Sequence, residues 1–108
     1  MTSFSLSNEL ETSRKKQSFM DQWSEAMKSR NIRRMAMVLR YAARFAYSLG
    51  NRDFAIVLID QALQILPINS PIRTIVFQEF RTYTEIPHLI AIDFPVSLNN
   101  VNKVISLI

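Results

Sequence analysis

The chain of 108 residues contains no cysteine, one glycine and one histidine. Without cysteine there is no disulfide, no thiolate metal site and no cysteine nucleophile. A single histidine excludes the zinc sites built on two or three of them. A single glycine cannot form a GxGxxG or Walker phosphate loop, each of which needs several. Long apolar runs are missing too: the longest, Phe54 to Ile59, falls far short of the ~20 residues that cross a bilayer. The opening MTSFSLSNELETSRKK sets two acids before the first base and no apolar stretch behind them, the reverse of a secretory signal. The expectation is a cytoplasmic, non-enzymatic protein with no cofactor and no membrane span.

What is present suffices for one folded domain with a modest core, since 48% of the residues are apolar and 20% charged. The net charge of +4 is unevenly spread. Residues 1–52 carry ten basic and four acidic side chains, whereas residues 53–108 carry three basic and five acidic ones. Such asymmetry suits an acidic partner, nucleic acid or head-to-tail self-contact of the first half, and equally a solvated face that only keeps the protein soluble.

Residues 1–13, rich in Ser, Thr and Asn, read as a flexible arm in which Phe4, Leu6 and Leu10 are able to dock, and 14–108 as a single helical domain. From about Arg14 to Ser29, Phe19, Met20, Trp23, Ala26 and Met27 form a helical stripe. Asn31 is placed to cap a second helix over about Ile32–Leu49, with Met35, Ala36, Leu39, Ala42, Ala43, Ala46 and Leu49 inward. Gly50 sits where a helix end wants positive φ, and Asp53 is placed to cap a third helix that Pro67 stops. Ser70-Pro71 opens a fourth helix to about Thr84, with Ile72, Ile75, Val76, Phe80 and Tyr83 inward. Between Pro87 and Pro95 a short strand over 90–92 would have nothing to pair with. Ser97 is placed to cap a last helix carrying Leu98, Val101, Val104, Ile105 and Ile108. The predicted fold class is all-α, a stack or bundle of four to five helices.

The segment LGNRDFAIVLIDQALQILP, Leu49 to Pro67, resembles the tetratricopeptide (TPR) repeat, and the likeness extends over about Ala36 to Asn69. Gly50 falls at the inter-helix turn, Ala55 and Ala62 at the two small positions of the second helix, Ile59 at the bulky position between them and Pro67 at the closing proline. In the first helix Leu39 takes the large position, while Ala42 and Ala46 depart from the larger and aromatic residues usual there. Sliding by 36 residues aligns Phe19, Met20, Trp23, Ala26 and Met27 with Ala55, Ile56, Ile59, Ala62 and Leu63, as the second helix of a degenerate preceding repeat. The helix from Pro71 would open a following one. A helical bundle outside that family, with a chance match, is the other reading of the same residues.

The resemblance implies stacked helix pairs whose first helices line a groove. In the carboxylate-binding subset of that family, basic residues at the fifth and ninth repeat positions hold an acidic peptide end, and here those positions are Arg40 and Arg44. With Arg33, Met37 and Tyr47 they form one stripe, the candidate partner-binding site. Lys28, Arg30, Arg33 and Arg34 are the alternative contacts for a small basic nucleic-acid-binding regulator. A third reading is a chaperone shielding an apolar client segment. Trp23 and Met20, Met27, Met35 and Met37 read either as a soft peptide-binding patch or as plain core. His88 has no identifiable partner in sequence, and Asp53 and Asp60 lie too far apart on one helix, ~10 Å, for a close carboxylate pair. The apolar C-terminal half, ending at Ile108, predicts either a tail folded over the helix stack or a homodimer interface, and homodimerisation is the expectation.

Overall fold

A computed structural model describes residues 2–85 and 97–108, with side chains from residue 9. The described residues form α1 (Thr2–Ser29), α2 (Ile32–Ser48), α3 (Arg52–Ile65), α4 (Pro71–Thr84), a 3-10 turn (Leu98–Asn100) and α5 (Val101–Leu107). The all-α expectation holds, with no strand among the described residues. The suggested strand at 90–92 and His88 lie outside them.

Two tight turns shape the first three helices, and they are the same turn. At the end of α2, Gly50 N–H donates to the Tyr47 carbonyl at 3.0 Å and Asn51 N–H to that of Ala46 at 2.9 Å, with Gly50 at φ +83°. This paired closure of a helix end on a left-handed residue is the Schellman arrangement. At the end of α1, Arg30 N–H donates to Met27 and Asn31 N–H to Ala26 in the same pattern. There the left-handed residue is Arg30, at φ 53°. Asn31 then caps α2, its Oδ1 accepting from Arg34 N–H at 3.1 Å.

Three boundaries differ from the sequence reading. The segment read as an arm is helical from Thr2, continuous with α1, because no glycine or proline interrupts residues 2–29. The N-cap of α3 is Asn51 rather than Asp53, which sits in the first turn. Ser97 makes no side-chain cap, and the last helix begins as a 3-10 turn. Pro67 follows the end of α3 and Pro71 opens α4, as expected.

The core sits between α2 and α3, the most extensive helix contact in the molecule. Ala36, Ala42, Ala43, Ala46, Ala55 and Ala62 are all 0% exposed. Methyl side chains leave room for two backbones to approach, and Leu39, Leu58 and Ile59, also fully buried, fill the space beside them. α1 packs on α2 through Trp23, Ala26 and a tilted Phe19–Phe45 ring pair at 5.8 Å. α4 packs on α3, and Arg52 at the start of α3 donates from Nε to the Tyr83 carbonyl at 2.7 Å, a cation at the C-terminal end of α4.

α5 lies against both α1 and α3 with Val101, Val104 and Ile105 fully buried. Asn102 Nδ2 donates to Ser24 Oγ at 3.1 Å and Lys16 Nζ to the Ile108 carbonyl at 3.1 Å, so α5 runs antiparallel to α1. The final helix therefore folds onto the stack, the first of the two arrangements the sequence left open. Two positions expected inward are not: Leu49 and Ile75 are each 46% exposed. Leu49 is the last residue before the α2–α3 turn, and α4 buries fully only Val76 and Tyr83. No helix among the described residues is long and apolar enough to cross a membrane.

Candidate functional site

Because α2 directs its alanines into the core, its other side carries the stripe Arg33, Met37, Arg40, Arg44 and Tyr47 along its whole length. Exposure is uneven along this stripe. Arg33, Arg44 and Tyr47 are exposed, whereas Met37 and Arg40 are half-buried. α4 lies beside the stripe and supplies two residues that spacing in the sequence did not single out for the site, Glu79 and Tyr83.

Arg40 does not stand free to receive an acidic peptide. Its Nε donates to Glu79 Oε1 at 2.7 Å, with both side chains 18% exposed. The second Glu79 oxygen, Oε2, is buried without a hydrogen-bond partner among the described residues. A half-buried pair of this kind holds two helices in register more than it adds stability, and removing one member strands the other charge. Its guanidinium also lies 5.8 Å from the centre of the Tyr41 ring. The sequence reading of Arg40 as a carboxylate ligand is thus met by a carboxylate of the chain itself, 39 residues away.

At the far end of the stripe Tyr47 stacks on Tyr83, ring centres 4.7 Å apart and planes 27° from parallel. Tyr47 is 44% exposed and covers Tyr83, which is 5% exposed. Burial pushes the Tyr83 hydroxyl up to about 12 and the Glu79 carboxylate adds to that, while the charges of Arg44 and Arg40 pull the other way. Arg44 is consequently an exposed cation beside an aromatic pair.

At the near end, the stripe meets an open apolar groove of about 350 Å³. Ile32 and Arg33 form one wall, Ile65, Leu66 and Pro67 another, and Pro71 and Ile72 a third. It lies where the start of α2, the end of α3 and the start of α4 converge. No sequence signal pointed to it, since its walls come from three elements. Lys28, Arg30, Arg33 and Arg34, the alternative nucleic-acid contacts, are all exposed around the α1–α2 turn at this same end. None of these four side chains has an ion-pair or hydrogen-bond partner among the described residues.

The methionines divide between roles. Met35 and Trp23 are each 3% exposed and belong to the core, with Met20 and Met27 packed against it. Among the described residues no three or more His, Asp or Glu side chains gather in a way that would hold a metal ion. Comparison with family models, curated proteins and solved structures finds no match for this chain.

Proposed function

We propose that this chain is a non-enzymatic adaptor of TPR-like build, acting in the cytoplasm, that binds a protein partner through helix faces and favours an acidic segment. One observation carries the reading: the alanine-lined face of α2 is wholly buried while its opposite stripe keeps Arg33, Arg44 and Tyr47 exposed. A helix so divided spends one face on the core and leaves cations and an aromatic ring on the other within reach of a partner. The Arg40–Glu79 pair narrows the acid-receiving role to Arg33 and Arg44. Cross-linking of the full chain to its partner, identification by mass spectrometry and titration of the purified pair test this. Arg44→Ala should weaken the complex about fivefold or more with helix content unchanged. An affinity indifferent to Arg44 and Arg33 overturns it.

A second reading, a small nucleic-acid-binding regulator, is favoured by the exposed cluster of Lys28, Arg30, Arg33 and Arg34. Binding to arbitrary duplex DNA or RNA that collapses steeply with salt would support it. A homodimer is also within the adaptor reading. With Val101, Val104 and Ile105 buried inside the chain, it would draw on the exposed Ile75, Phe77 and Leu107, and sedimentation at tens of micromolar decides it.

A further inference from the structure

We infer that the groove at the start of α2 is a docking site for a short acidic peptide segment that inserts one bulky aliphatic or aromatic side chain and sets carboxylates against the α1–α2 turn. The inference deepens the adaptor reading, on which it rests, by moving the main anchor from the middle of the stripe to its end.

The groove chemistry asks for an apolar anchor. Ile32, Ile65, Leu66, Pro71 and Ile72 make its walls, and its volume of about 350 Å³ exceeds the ~150 Å³ that encloses a benzene ring. One large side chain fits with room for part of a second. Ile32, at the lip, is 42% exposed, and Ile68 in the adjoining loop is 91% exposed.

The rim asks for negative charge. Lys28, Arg30, Arg33 and Arg34 fall within seven residues, and no acidic side chain pairs with any of them among the described residues. The starts of α2 and α4 both point positive dipole ends to this end of the molecule. An anionic segment is the complement of each of these features.

The same residues are locally unfavourable, which simple solubility does not require. Arg33 and Arg34 occupy the first turn of α2, where cations oppose the helix dipole and no acid offsets them. Arg30 holds a left-handed backbone, a conformation that glycine fills at the matching turn after α2. Local cost of this kind concentrates where a ligand is engaged. A peptide fits better than nucleic acid, because the groove walls are aliphatic and present no aromatic face for stacking a base.

Selection of random twelve-residue peptides on the full-length chain tests the inference. The expected winners share a Leu, Ile, Met or Phe with Asp or Glu within three positions. Titrated as labelled peptides, they should lose about tenfold in affinity with Ile32→Glu and with Arg33→Glu, and stay within twofold with Arg81→Glu, an exposed cation in the last turn of α4. Amide chemical shifts on peptide addition should move at Ile32, Ile65, Leu66 and Ile72, a readout that needs no variant to fold. Winners lacking acids, shifts away from the groove, or displacement by an equal concentration of short duplex DNA overturn the groove site. Peptide binding that depends on Arg44 and ignores Ile32 overturns it while leaving the adaptor reading intact, whereas recovery of no binding peptide overturns both.

Discussion

Arg30 is the residue whose identity and conformation disagree most. It occupies the left-handed position of a helix-closing turn whose twin, twenty residues on, uses Gly50. For an L-residue that conformation costs roughly 1–2 kcal/mol. Arg30→Gly should therefore stabilise the fold by up to about 1 kcal/mol after the greater freedom of glycine in the unfolded chain is counted, seen as a higher urea midpoint. Tyr83 gives a second residue-scale prediction. Its hydroxyl is held near 12 in the fold against 10.0 for an unperturbed tyrosine, so the unfolded chain loses that proton first as pH rises. The contribution is complete below pH 10 and is lost between pH 10 and about 12. Tyr83→Phe should flatten this part of the stability profile, read as the difference between the two proteins in urea melts at pH 8, 10 and 11. An identical alkaline decline in both would show that Tyr83 is not its source.

Elements obey the sequence where one helix contains its own signals. The cap at Asn31, the positive φ at Gly50, the stop at Pro67 and the Ser70-Pro71 start all depend on residues within a turn of each other, and all appear where spacing put them. The alanines of α2 and α3 are legible for the same reason, and their burial makes a clear test. Ala62→Leu adds three heavy atoms to a position with 0% exposure, and should destabilise by about 1–3 kcal/mol through overpacking. A neutral result would mean that α2 and α3 are separated more widely than their shared core implies. What stayed hidden needs two elements to be known together. The Arg40–Glu79 bond joins positions 39 apart, and the apolar groove draws its walls from α2, α3 and the loop leading into α4. No period along a single helix encodes either. Ile75 is outward because, among the described residues, α4 packs chiefly on α3 and turns Ile75 away from the core.

At the scale of the whole molecule, α5 decides how the layers close. It is a helix of seven residues, too short to persist alone, and it buries three side chains where it packs on α1 and α3. Ile105→Ala should cost about 2–5 kcal/mol, the range for deleting a fully buried aliphatic side chain. Hydrogen exchange should then show faster opening in α1 than in the α2–α3 pair. Uniform acceleration across all helices would mean that α1 and the central pair open as one unit. The same arrangement bears on synthesis. The partners of α5 precede it by 78 residues at Asn102–Ser24 and 92 at Ile108–Lys16. On a ribosome, α2 and α3 meet their mates almost at once, but the second supporting surface of α1 does not exist until residues 101–108 have emerged. Until residues 101–108 have been made, α1 has α2 as its main packing surface among the described elements.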